Sequence, residues 1–228
     1  MDMVKENARQ YLVAAGLGLG IFLGSWWYNG GGLKLASPVN RGLADTSMFL
    51  LGTALMLGVL SRLYNAFDKF LTYRKEIGIM AFFSGAAHVY LAMFPLARRG
   101  PWGFYESCPW SAFPGLLGLG LMFLLFVISF KAVEEKLGTA RWWKMQYWGA
   151  RIAGIGILTH IAVFRGPEWW TLVKSGSGAV PSSLVAGSFG VFALLSRLAE
   201  PAGQKMAQKL VPVWLTVTLG LLIWLFVR

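Results

Sequence analysis

The sequence contains little charge for its length. Only 14% of its 228 residues are Asp, Glu, Lys or Arg, whereas 56% are hydrophobic and the mean hydropathy is +0.57. Soluble domains carry about 25% charged residues, so this composition excludes an ordinary water-soluble globule. Long apolar stretches without a charged residue predict instead an all-α protein, a polytopic transmembrane helical bundle of six to seven spans.

Cysteine is almost absent as well. The one cysteine, Cys108, excludes an internal disulfide, a CxxCH haem attachment and a four-cysteine iron–sulfur cluster. A soluble nucleotide-binding domain is excluded by length, because seven spans of about 20 residues use roughly 140 positions. A βαβ unit would need about 30 further residues in one connection. The functional sites that remain possible are those formed within the membrane helices.

Seven apolar segments are long enough to span a membrane. They are predicted at Tyr11–Tyr28, Thr46–Leu63, Ile77–Leu96, Ala112–Phe130, Met145–Phe164, Ser182–Leu198 and Leu210–Val227. Nearly all prolines, Pro167 among them, are expected in connections or in first helical turns, where a missing N–H is harmless. The first segment carries Asp2 and Glu6 and has no clear cleavage site, which favours an uncleaved first span.

Basic residues gather at the ends of these segments. The formal net charge is +11, and most Lys and Arg residues fall on the same side as the N-terminus. The positive-inside rule therefore places the N-terminus in the cytoplasm. Because the basic residues form no single stripe, topology explains them better than nucleic-acid binding does, and we expect no nucleic-acid partner.

The two histidines, His88 and His160, both fall inside predicted spans that run in the same direction. At 1.5 Å per residue, His88 lies about 17 Å beyond Ile77 and His160 about 22 Å beyond Met145, so both reach the outer half. Two neutral imidazoles at one level can ligate a haem iron. In the alternative interpretation, each histidine bonds to a neighbouring helix.

Small residues precede both histidines. Gly85 lies in a run of small residues before His88, and Gly156 lies in a second run before His160. A porphyrin must enter between helices that normally pack 8–10 Å apart, so small residues such as these favour a cofactor site. Glycines in membrane helices also serve ordinary helix packing, and this alternative stays open.

Arg151 is the only basic residue predicted deep in a span, about 9 Å from its inner end. It must pair, extend to the inner surface, or meet an anion such as a haem propionate or a quinone carbonyl. No acidic residue falls deep in a predicted span. This distribution argues against a carboxylate proton relay.

Several short motifs carry a family resemblance. The stretch Arg74–His88, the stretch Leu137–Tyr147 followed by His160, and the segment Ala36–Asn40 occur in an order that resembles the ferric-reductase-like transmembrane family. They are most similar to the haem-binding membrane subunit of bacterial methionine-sulfoxide reductase systems. The resemblance covers roughly residues 10–172.

The resemblance implies a six-helix core and b-type haem held by the third and fifth spans, here by His88 and His160. It also implies a multi-pass protein of the bacterial inner membrane. Such a protein passes quinol-derived electrons to a redox partner on the outer side, within a larger complex, and is itself a non-catalytic subunit of an oxidoreductase. Lipid is its other partner.

One departure from the family pattern affects the number of haems. The family usually has a further histidine in the fifth span, and Tyr147 stands at that place here. We therefore expect one b-type haem, with Tyr147 lining a quinone pocket. The rival hypothesis is a redox-inert structural subunit that keeps the fold without haem.

These interpretations describe a single transmembrane haem-binding domain over residues 1–228. Its core is expected at residues 46–164, with extra C-terminal spans at residues 182–227. The candidate iron ligands are His88 and His160, and no catalytic residue is expected. The other cofactor-binding candidates are Arg151, Tyr147, Gly85 and Gly156.

Overall fold

The computed structural model describes residues 2–31, 36–64, 67–96, 100–176 and 178–227, and this part of the chain contains helices and no strand. Seven helical segments are long and apolar enough to cross a membrane, which confirms the predicted multi-pass bundle. They are Ala8–Tyr28, Ser37–Tyr64, Asp68–Leu96, Pro109–Ile128, Thr139–Ser175, Ser182–Ala202 and Gln204–Val227.

The helices are numbered along the chain. The long ones are α1 (Asp2–Tyr28), α2 (Ala36–Tyr64), α3 (Arg74–Leu91), α5 (Pro109–Ile128), α7 (Thr139–Ser175), α8 (Ser182–Ala199) and α9 (Gln204–Val227). Two short helices, α4 (Gly100–Ser107) and α6 (Lys131–Leu137), lie at the ends of the bundle. A 3-10 segment, Asp68–Tyr73, leads into α3, and a π-helical turn, Ala92–Leu96, continues it.

Helix α2 forms the centre of the bundle. It packs against α1, α3 and α8, and its side chains Leu50, Leu55 and Val59 are fully buried. Helix α5 packs mainly against α7, and α7 in turn contacts α8. The α2–α3 pair and the α5–α7 pair consequently face each other across a cleft. We call the end of the bundle that carries the C-terminal ends of α3 and α7 the outer end, following the predicted topology.

Helix α7 is much longer than its predicted span. It has 37 residues and continues through Pro167 to Ser175, so the expectation that Pro167 lies in a connection is wrong. At 1.5 Å per residue the helix is about 55 Å long, well above a hydrocarbon thickness of about 30 Å. Its last turns therefore extend beyond the membrane core, where water can satisfy the carbonyl that a proline leaves unpaired.

The acidic residues also differ from expectation. Helix α2 begins at Ala36, ahead of the predicted start at Thr46, and Asp45 lies within the span with 4% of its surface exposed. Glu76 is equally buried near the start of α3. The prediction that no acidic residue lies deep in a span is thus wrong for Asp45, because α2 begins at Ala36 and its first turns precede the predicted span. Glu76 lies in the first turn of α3.

Candidate functional site

Both histidines border one cavity between the α2–α3 and α5–α7 pairs, in the outer half of the bundle. The cavity has a volume of about 90 Å³. It opens into an outer vestibule of about 930 Å³ that shares Ala44, His88, Ala92, His160 and Ile161 with it. The structure therefore brings together the two imidazoles that the sequence places at one level.

The ring of His88 is fixed by the chain of α2. Its Nδ1 lies 3.1 Å from the backbone oxygen of Asn40. A carbonyl oxygen only accepts, so Nδ1 donates its proton and Nε2 keeps its lone pair. None of the described residues forms a hydrogen bond with that Nε2.

The ring of His160 is fixed in the same way by α5. Its Nδ1 lies 2.9 Å from the backbone oxygen of Ser111 and 3.0 Å from the Oγ of the same residue. Gly115 makes this possible, because a Cβ at that position would lie 2.8 Å from Nδ1. The ring also stacks on Phe164, with ring centres 6.0 Å apart.

Each histidine thus bonds to a neighbouring helix, as the alternative interpretation expects. An imidazole held through Nδ1 is also the usual arrangement of a metal-ligating histidine. In the described part of the chain, no group of three or more His, Cys, Asp or Glu residues could hold an ion. A bare metal ion would thus have only two protein ligands here. Iron in a porphyrin already has four ring nitrogens and can take two histidine ligands, so this donor set fits an iron porphyrin better than a bare ion.

The walls of the site are small or apolar. Ala44, Gly85, Ala112 and Gly115 line the cavity together with larger apolar residues. At Gly85 a Cβ would lie 2.9 Å from the Oγ of Ser47, so this glycine lets α3 approach α2. The two glycines thus allow close packing against Ser47 and His160, and a flat ligand the size of a porphyrin would need the volume of the adjoining vestibule.

Gly156 has a different place. It does not belong to the residues that line the cavity. A Cβ there would lie 2.9 Å from the backbone oxygen of Pro114 and 3.3 Å from the Cα of Gly118. Gly156 therefore allows α5 and α7 to pack closely, which positions His160 indirectly through the backbone of α5.

Arg151 and Tyr147 lie outside the cavity and nearer the inner end. The Arg151 guanidinium lies 3.3 Å from the centre of the Tyr147 ring and 2.6 Å from the Oε2 of Glu200. It also donates to the backbone oxygen of Arg197, at 3.0 Å. Of the outcomes considered for Arg151, the structure thus shows pairing, with a carboxylate 49 residues away in the chain.

A second cavity continues the cleft towards the inner end. It has a volume of about 360 Å³ and shares Met122 with the histidine cavity. Its polar lining includes Arg74, Ser129 and Gln146, and the Nε2 of Gln146 donates to the Oγ of Ser129 at 3.2 Å. Tyr147 is not among its lining residues.

Helical phase explains why Gln146 faces this cavity. Gln146 lies about four full turns before His160, and Arg74 lies the same distance before His88, so each shares a helix face with its histidine. Tyr147 is rotated by about 100° from that face. The spacing between Gln146 and His160 can be read from the sequence. It predicts that Gln146 lines the cleft, which the family motifs do not indicate.

The fold and these distances can be set beside known proteins. Residues 41–157, more than half of the chain, match the family model described as ferric reductase like transmembrane component. The matched segment includes His88 and ends just before His160. A comparison with curated proteins gives no match.

Proposed function

Since this chain belongs to the ferric reductase like transmembrane component family, we propose that it is a membrane electron-transfer protein that holds one b-type haem between His88 and His160. The observation that carries the proposal is the pair of imidazoles on one cavity, each with Nδ1 bonded to a backbone carbonyl. The family supports electron transfer in general. The haem and its ligands are our inference.

The residues of the chain supply the environment for such a group. The carbonyl oxygens of Asn40 and Ser111 orient the imidazoles and increase their basicity. Arg41 and Arg165 line the vestibule, where a positive charge can meet the propionates of a haem, whereas Arg151 does not line it. When bound, the haem stores and releases one electron. Apolar side chains exclude water from its faces.

We further propose that electrons enter from a quinol at the inner cavity. That cavity has no histidine in its lining, so it does not suit a second haem with two imidazole ligands. Arg74 can donate a hydrogen bond to a quinol oxygen, and the Oε1 of Gln146 can accept one from a quinol hydroxyl. Met122 lines both cavities, so the proposed quinol site and the histidine site are neighbours in the cleft.

The direction of transfer follows from the proposed topology. With the N-terminus in the cytoplasm of a bacterial cell, the histidine cavity opens to the outer side of the inner membrane. A redox partner there would accept the electron, as in the methionine-sulfoxide reductase systems that the motifs resemble. On this hypothesis residues 1–228 act as one transmembrane haem-binding domain.

An absorbance spectrum tests the proposal. The purified protein is expected to show a reducible low-spin b-type spectrum, with one haem per chain by pyridine haemochrome quantification. His88→Ala and His160→Ala should each abolish it, because each removes an axial ligand. Ser111→Ala is the matched control, since the backbone oxygen that bonds to His160 remains, and its spectrum should persist.

The same measurements distinguish the proposal from the rival function. Either histidine variant with a full spectrum would overturn the ligand assignment. A wild-type protein that is folded but contains no iron or porphyrin would instead indicate a redox-inert structural subunit.

A further inference from the structure

The outer vestibule contains a buried carboxylate that the proposed electron transfer does not use. Asp45 lines the vestibule and follows Ala44, which borders both the vestibule and the histidine cavity. It lies within a membrane span with 4% of its surface exposed. An ionisable group at such a place is costly to keep charged, and it is a functional candidate by default.

The partners of Asp45 are neutral. The Oγ of Ser25 donates to its carboxylate at 2.5 Å, and the Nδ2 of Asn29 approaches it at 3.5 Å. Asn29 is held in turn by Ser182, with Nδ2 to Oγ at 2.9 Å. The carboxylate is therefore solvated by hydrogen bonds from α1 and from Ser182 of α8, and no described residue forms an ion pair with it.

The surrounding helices present few other ionisable groups to the vestibule. Those in its lining are Tyr28 on α1, Arg41 on α2, His88 on α3, and His160, Arg165 and Glu168 on α7, while α8 contributes only the hydroxyls of Ser182 and Ser183. Arg165 is paired with Glu168 at 2.9 Å, and the Tyr28 hydroxyl donates to the backbone oxygen of Val180. Asp45 is thus the buried carboxylate of this lining, in a region of low dielectric constant where a change of charge at the histidines acts strongly.

We propose that Asp45 is the proton-accepting group of this site and binds one proton for each electron that reaches the pair His88 and His160. The inference rests on the proposed function. If the two histidines hold an iron porphyrin, that group would take up one electron supplied by a quinol, and one proton would pass from hydronium in the aqueous medium to a carboxylate oxygen of Asp45. The net charge of the site is then unchanged. When the electron leaves for the acceptor, the proton returns to the vestibule.

The pH dependence of the midpoint potential tests the proposal. In the wild type the potential should fall as pH rises, up to the limit for one proton per electron, which is about 59 mV for a tenfold change in proton activity. Asp45→Asn should flatten this slope, because the amide cannot take up the proton. Glu168→Gln is the matched control, since it removes an exposed, paired carboxylate from the same vestibule, and its slope should equal that of the wild type.

Infrared difference spectra give an independent measurement. Reduction of the wild type should produce the C=O stretch of a newly protonated carboxyl group, and this band should be missing in Asp45→Asn and present in Glu168→Gln. If the band persists in Asp45→Asn, or if the wild-type potential does not change with pH, the proposal is overturned.

A second variant covers the case in which Asp45→Asn does not fold. Ser25→Ala removes the donor that favours the charged carboxylate, so the pH-dependent region of the potential should move to higher pH. An unchanged profile would contradict the role of Asp45. Protein without haem would overturn the proposed function, whereas haem with a potential independent of pH would overturn only the proton site.

Discussion

The two ends of the bundle hold different kinds of buried polar group. At the outer end, neutral imidazoles and a carboxylate are held by backbone carbonyls and hydroxyls around open space. Towards the inner end, Arg151, Arg197 and Glu200 form a closely packed ion-pair network with 1–2% exposure of each side chain. The outer end keeps room for a ligand, while the inner network fills its space with its own charges.

The comparison separates binding from structural support. The Arg151 guanidinium donates through its two terminal nitrogens to a carboxylate and two backbone oxygens, while its buried Nε has no hydrogen-bond partner among the described residues. These terminal nitrogens have little left to offer a cofactor. An imidazole that uses only Nδ1 still has a lone pair to give. The kind of buried polar residue thus matters less for function than whether its hydrogen-bonding capacity is already used.

The largest effect on stability is expected from Glu200→Gln. This change leaves the buried guanidinium groups of Arg151 and Arg197 without their counter-charge, and breaking a buried pair in this way costs about 3–5 kcal/mol. The free energy of unfolding in detergent should fall by about that amount. The absorbance spectrum of the fraction that still folds should be unchanged, because Glu200 does not line the histidine cavity.

Glu135→Gln is the control for this prediction. Glu135 pairs with Lys131 at 3.9 Å and its side chain is 66% exposed, so its loss should change stability by less than about 1 kcal/mol. Equal stability of Glu200→Gln and the wild type would show that the inner network does not support the bundle.

A smaller effect is expected at Gly115, and it tests the outer end. In Gly115→Ala the new Cβ would lie 2.8 Å from the Nδ1 of His160, so the ring must move and its bond to the backbone of Ser111 must lengthen. Such overpacking costs about 1–3 kcal/mol. The protein should bind less haem, and the spectrum of the bound fraction should shift.

Gly120→Ala, on the same helix, gives the contrast. Apart from its chain neighbours and the nearby backbone of its own helix, none of the described atoms lies within 4 Å of a Cβ built at Gly120. This variant should therefore keep full haem content and gain up to about 1 kcal/mol of helix stability. If both alanine variants bind haem like the wild type, the close fit of His160 against α5 is not needed for the site.

Much of the fold could be predicted from the sequence, because membrane helices are recognised by the length and hydropathy of their segments. All seven spans and the shared level of His88 and His160 follow from counting residues along helices. The extent of α7 could not be predicted in this way. A proline usually marks a helix end, but α7 continues through Pro167 to Ser175.

The contacts of the site depend on information that a single sequence lacks. The pairing of Arg151 with Glu200 joins residues 49 positions apart, so it depends on how α7 and α8 pack. Asp45 directly precedes the predicted span Thr46–Leu63, so the apolar pattern alone does not show that it lies inside α2. By contrast, the position of Gln146 follows from helical phase alone.

The smallest effect is expected at Gln146. It tests whether a quinol bound in the inner cavity donates electrons to the histidine site. Gln146→Leu removes an acceptor that we assign to a quinol hydroxyl, and one lost hydrogen bond of about 1.4 kcal/mol corresponds to about tenfold. Reduction of the haem by a soluble quinol analogue should slow by about that factor, while reduction by dithionite should be unaffected, because dithionite does not need the cavity. Tyr147→Phe alters the neighbouring residue, which does not line the cavity. The haem of this variant should be reduced at the wild-type rate. If the haem is reduced slowly in Tyr147→Phe and at the wild-type rate in Gln146→Leu, the quinol binds near the Arg151 network. The inner network would then bind a ligand and would not only support the fold.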